Sequence, residues 1–135
     1  MLHLYHMQYI YMYLSAGVIF AVADMLWVTY VVTPMYRTNL ESILADKFAA
    51  TPAIAFYVLY IFGMMYFAII PGMQADSWKL AAMNGALFGI MTYATYCLTN
   101  MAIMKVWPLS ITISDIAWGA FATALVSAAV VMMFK

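Results

Sequence analysis

The sequence predicts an all-α integral membrane protein: a bundle of four transmembrane helices, with a short amphipathic interfacial helix after the first span. Two observations carry this. Hydrophobic residues make up 69% of the 135 and charged residues 7%, where a soluble domain carries about 25% charge. Mean hydropathy is +0.97, and five Lys/Arg with five Asp/Glu cannot furnish the solvated surface of a globule this size.

A bilayer core about 30 Å thick takes roughly 20 apolar residues per helical span, and four such runs form one membrane domain over residues 1–135. The first runs from about Tyr9 to Val32 and is expected to end before Thr33-Pro34. The second, about Ala53 to Ile70, lies between Pro52 and Pro71; the third, about Leu80 to Met104, lies between Lys79 and Lys105. The fourth runs from about Leu109 to Phe134, after Trp107-Pro108. Proline does least harm at a helix start or just past its end. The runs are too long for barrel strands of about ten alternating residues. Between the first two spans, Leu40, Ile43, Leu44 and Phe48 recur at helical spacing among Arg37, Glu41, Asp46 and Lys47, the pattern of an interfacial helix over Tyr36 to Ala50.

Alternating spans put Arg37, Lys47 and Lys105 on one side and Lys79, Lys135 and the amino terminus on the other. So even a distribution gives the positive-inside rule nothing to act on. The start, Met1 to Met7, lacks the basic residues and small-residue cleavage site of a signal peptide, so the first apolar segment is expected to be retained as a span. Tyr5, Tyr9, Tyr11, Tyr13, Tyr36, Trp78 and Trp107 lie near predicted span ends, where aromatic rings form interfacial belts.

Several functions are excluded by what the chain does not carry. Zero formal net charge without a basic run leaves no footprint for nucleic acid. The single Cys97 forms no intrachain disulfide or Cys-clustered metal site. No Gly-rich phosphate loop or H-E-x-x-H motif occurs. His3 and His6 precede the first span, so no axial haem ligand stands within the bundle. The fourteen methionines read as packing rather than copper ligands. No enzyme activity, cofactor or metal is expected.

The polar groups that do enter the spans converge in depth. Asp24 lies about nine residues before the end of the first span, roughly 14 Å from the first-loop surface at 1.5 Å per residue. Asp115 enters the fourth span from the same surface and lies roughly 9 Å deep. Thr99, Asn100 and Cys97 of the third span fall in the same leaflet. Each aspartate is followed three residues later by tryptophan, Trp27 and Trp118, on its own helix face, so both indoles are expected to line one cavity. Intramembrane ionisable residues face the bundle interior and find partners. The layer reads either as packing, a protonated Asp or Asp–Asn hydrogen bond fixing the helices, or as a proton, cation, lipid or quinone site. Small residues at four-residue spacing, Ala81, Gly85 and Gly89 in the third span and Ala120, Ala124 and Ala128 in the fourth, let helix backbones approach closely.

Asp24-x-x-Trp27, Phe56-Tyr57-x-x-Tyr60, Tyr66-Phe67, Gly85-Ala-Leu-Phe-Gly89, Tyr93-Ala-Thr-Tyr96-x-Leu-Thr-Asn100, Trp107-Pro-Leu and Asp115-Ile-Ala-Trp118-Gly119 together resemble a family of small membrane proteins catalogued as domain of unknown function 2177. The resemblance covers roughly Gly17 to Val130 and implies a mostly bacterial family with four spans, bringing no activity with it. Its pattern has aspartate where this chain has Cys97, which implies that a third carboxylate of the layer is replaced by a thiol, a poor ligand for hard cations.

The leading expectation is a non-catalytic accessory subunit, partnered by other membrane-protein subunits in a larger complex of an inner membrane, mitochondrial or bacterial, with a respiratory complex as first host. The rivals are a small proton- or cation-coupled carrier working through Asp24, Asn100, Asp115, Trp27 and Trp118, and a protein binding lipid or quinone in the same layer.

Overall fold

The computed structural model describes residues 2–44 and 49–135, with side chains described from His6 onward in the first stretch. The expected roles of His3, Tyr5, Asp46, Lys47 and Phe48 lie outside the described residues. Every regular element among those described is helical: α1 (Leu2–Trp27), α2 (Thr33–Leu40), α3 (Ala50–Met64), α4 (Ile70–Gln74), α5 (Trp78–Ile103) and α6 (Leu109–Phe134). Four stretches are long and apolar enough to cross a membrane: His6–Ile43, Ala50–Gln74, Trp78–Ile103 and Leu109–Phe134.

The third and fourth spans begin and end close to where composition puts them. The first two do not stop at their prolines. A π-helical turn, Val28–Val32, joins α1 to α2 without a break, and a second, Met65–Ile69, joins α3 to α4. The two cases are built alike, with the proline, Pro34 or Pro71, two residues past the end of the π turn. Proline removes one helical N–H and crowds the carbonyl four residues earlier. Within a membrane, local π adjustment and neighbouring polar side chains absorb both defects. Of the helix expected over Tyr36 to Ala50, the described residues up to Leu44 are helical only at the start: α2 is continuous with the first span and ends in a tight turn at Glu41–Ile43, after which Leu44 is extended. Leu40 is buried there, while Ile43 and Leu44 are exposed.

At Pro71 the repair is visible. The missing N–H is the one that would bond the Phe67 carbonyl in a regular helix, and Asn84 Nδ2 of α5 donates to that carbonyl at 3.0 Å. Asn84→Leu is expected to lower stability by about 1 kcal/mol, the scale of interhelical hydrogen bonds in membranes, in denaturant titrations of the purified protein. Pro71→Ala restores the N–H and is expected to recover most of that loss; equal losses in the single and double variants would contradict the repair.

The helices run up and down as the span count requires. Gln8 Nε2 donates to the Phe134 carbonyl at 3.2 Å, and Lys135 pairs with Asp76 in the turn between α4 and α5. At the opposite end Leu40 packs with Cys97, Trp107 and Ile111. On α1 the buried residues Met12, Ala16, Phe20 and Asp24 recur every four positions. Four residues of α-helix overshoot a full turn by about 40°, so such a strip drifts around the helix. The wider π winding turns it back, and Val28, Val32 and Tyr36 line one cleft together with Asp24.

Helices α5 and α6 pack along most of their length. Gly85 and Gly89 stand at the closest approach: a Cβ at Gly85 would lie 2.7 Å from the Thr123 carbonyl oxygen and 2.9 Å from Ser127 Oγ. The face of α6 presented there is Gly119, Thr123 and Ser127, all buried, with Ala120 and Ala124 half-buried beside it. The main core lies between α1, α3 and α6, with Met12, Phe20, Tyr60, Met64, Val126 and Val130 among its buried residues.

Candidate functional site

Helix α5 packs on the π turn Met65–Ile69 and on α4 more than along α3. The first turns of α3 therefore stand away from α5, and a cleft of about 630 Å³ opens between them, within the range of small-molecule sites. Phe56 and Tyr96, on its two sides, are 41% and 50% exposed. The mouth thus faces where the hydrocarbon of the bilayer would be. Val28 and Val32 of the first π turn line the inner wall.

Asp24 and Asp115 both line this cleft and are 7% and 6% exposed. Asp24 Oδ1 accepts from Trp118 Nε1 at 3.1 Å and Oδ2 from the Tyr57 hydroxyl at 2.6 Å. Asp115 Oδ2 accepts from the Tyr36 hydroxyl at 2.8 Å and from the Cys97 thiol at 3.7 Å. The two carboxylates thereby tie together α1 with α3 and α6, and α6 with α2 and α5. The pairing by motif is exchanged. Trp118, three residues from Asp115, bonds Asp24 on the other helix and stacks on Trp27 with centroids 4.7 Å apart and planes 3° from parallel. Trp27 lines the cleft and Trp118 backs it.

The deeper wall is tyrosine. Tyr60 shares a 2.6 Å hydrogen bond with Thr123 Oγ1, has the Phe20 and Phe88 rings at 5.0 Å, and meets Tyr93 edge-on at 6.0 Å. Buried tyrosines spend an apolar ring on packing and keep a hydroxyl for a polar partner.

Of the residues expected in one layer, Asp24, Trp27, Cys97, Asp115 and Trp118 are brought together. Asn100 is not among those lining the cleft. Cys97 is fully buried against Asp115, so the position where the resemblance expects aspartate does adjoin this carboxylate. Two residues assigned to the interfacial belt belong elsewhere. Tyr36 hydrogen-bonds Asp115, and Trp107 is 9% exposed with Nε1 donating to Thr112 Oγ1 at 3.1 Å. Tyr57, Tyr60 and Tyr93 went unassigned in the sequence. The signal that finds them is depth together with spacing: Tyr57/Tyr60 and Tyr93/Tyr96 are i, i+3 pairs in the interiors of spans, too deep for a belt.

Among the described residues no group of three His, Cys, Asp or Glu could hold a metal ion. The cleft offers two carboxylates, hydroxyl and indole donors and aromatic faces, the equipment of a binding site.

No curated protein and no solved structure matches the chain. Its sequence does match, over residues 9–132, the family described as "Predicted membrane protein (DUF2177)", and with nearly the whole chain covered, this four-span protein belongs to that family.

Proposed function

We propose that the protein binds a small amphipathic molecule inside the membrane, in the cleft between α1, α3, α5 and α6. The observation that supports this reading best is the two buried carboxylates lining a cleft of about 630 Å³. Packing alone needs hydrogen bonds between helices, but it does not need the carboxylates that make them to stand on the wall of an open cleft. The polar head of the ligand sits against Asp24 and Asp115, and its apolar part lies along the aromatic walls toward the mouth. We also propose an inner membrane, bacterial cytoplasmic or mitochondrial, as the location, since outer membranes are the domain of β-barrels.

Mass spectrometry of protein extracted in mild detergent tests the reading. The expected result is a bound lipophilic small molecule, near one per chain, that Trp118→Ala loses while the helical circular dichroism is retained. Extraction without any bound molecule, together with comigration in a large assembly, would replace this reading with that of an accessory subunit.

A further inference from the structure

We infer that the ligand of this cleft is a lipophilic organic cation; the inference rests on the cleft being a ligand site and adds the chemical class. Charge is the first reason. The ionisable side chains lining the cleft are acidic or phenolic, and among the described residues no Lys, Arg or His lines it. Asp24 and Asp115 are each more than nine-tenths buried, and their hydrogen-bond donors, Trp118, Tyr57, Tyr36 and Cys97, are all neutral. Intramembrane carboxylates are kept only with a partner, and among the described residues the lining supplies donors but no cation.

The walls are the second reason. Trp27, with Trp118 stacked on it, and the rings of Tyr57, Tyr60 and Tyr93 line the cleft as the kind of electron-rich surfaces that hold quaternary ammonium groups in aromatic cages. A quinone or other carbonyl-headed ligand finds the indole of Trp118 and the hydroxyls of Tyr57 and Tyr36 already given to the aspartates; the Tyr93 and Tyr96 hydroxyls remain on the lining, but such a head brings no charge to set against the two carboxylates. An anion meets two carboxylates. Access is the third reason. With the half-exposed Phe56 and Tyr96 at the mouth, the ligand arrives through the hydrocarbon layer, so its charge must be carried on an apolar body.

Equilibrium binding to the purified full-length protein in lipid nanodiscs tests this with tetraphenylphosphonium, with tetraphenylborate of the same shape and opposite charge, and with neutral decylubiquinone. The expected result is saturable binding of tetraphenylphosphonium alone, weakened about tenfold or more by Asp24→Asn or Asp115→Asn, a loss of at least about 1.4 kcal/mol. Saturable decylubiquinone or tetraphenylborate binding that tetraphenylphosphonium does not displace would overturn the cation while leaving the cleft a ligand site. Absence of saturable binding by all three would overturn both. Undiminished tetraphenylphosphonium binding in both Asn variants would place that cation elsewhere and also overturn the inference. The wild-type comparison of the two ions decides even where an Asn variant fails to fold.

Discussion

Gly89→Ala is expected to cost about 2–3 kcal/mol or more, the upper range for overpacking a core, because the added methyl has nowhere to go. Its Cβ would overlap the Gly119 carbonyl and lie 3.0 Å from the Ala120 nitrogen. Both are backbone, so relief requires α5 and α6 to move apart, and these helices are packed along most of their length. Two other glycines serve as controls. At Gly63 the nearest atom is Phe88 Cζ at 2.6 Å, the far end of a ring that can turn away, and at Gly17 nothing lies within 4 Å. Gly17→Ala should be neutral or stabilising by up to about 1 kcal/mol, since glycine is the costlier residue in a helix interior. The order Gly89→Ala far below Gly63→Ala, and that below Gly17→Ala, is read from denaturant midpoints in one detergent. If Gly89→Ala melts with Gly17→Ala, the close crossing of α5 and α6 is wrong. The crossing also shapes the cleft: a Cβ on Gly119 would run into the Tyr93 ring, one of the walls.

That crossing was half legible in the sequence. Gly85 and Gly89 mark a close approach by their spacing, yet the partner strip is Gly119, Thr123 and Ser127, one residue out of register with the alanines of α6 that share the pattern. Small size says that a backbone can come near, not which of two adjacent faces is turned toward it. The spans themselves were legible because the thickness of the bilayer converts directly into a length of apolar chain. Their ends were legible only where no π turn intervened. Pro34 and Pro71 read as stops, and the repair depends on a wider turn and, for Pro71, on Asn84 of the next helix, seventeen residues from the Phe67 carbonyl that it bonds, which no local pattern reports. Asp24 and Asp115 were identifiable as a pair from depth alone, whereas the exchange of tryptophans between them was not. Spacing three residues apart gives a shared face; it cannot tell whether the indole turns to its own carboxylate or crosses to the neighbouring helix, as Trp118 does.

That exchanged bond leads to the second large effect. Asp24→Ala should lower stability by about 1–3 kcal/mol, because it strands two donors at once, Trp118 Nε1 and the Tyr57 hydroxyl. Each lost charge-assisted bond is worth about 1.5–3 kcal/mol in soluble proteins, but interhelical bonds measured inside membranes average about 0.6 and reach about 1.7 kcal/mol, so the lower scale governs. The opposing effect, relief from holding a carboxylate in hydrocarbon, largely cancels, since the unfolded reference chain in a membrane keeps its helices inserted and its aspartate with them. A double-mutant cycle isolates the bond. Trp118→Phe keeps a ring to stack on Trp27 and removes only the indole donor, so it should cost about 0.5–1.5 kcal/mol less in the Asp24→Ala background than in the wild type. Zero coupling would mean that the indole does not hold the carboxylate. Coupling together with loss of tetraphenylphosphonium binding in Asp24→Asn would show one carboxylate doing two things, holding α1 against α3 and α6 while facing the ligand with its charge.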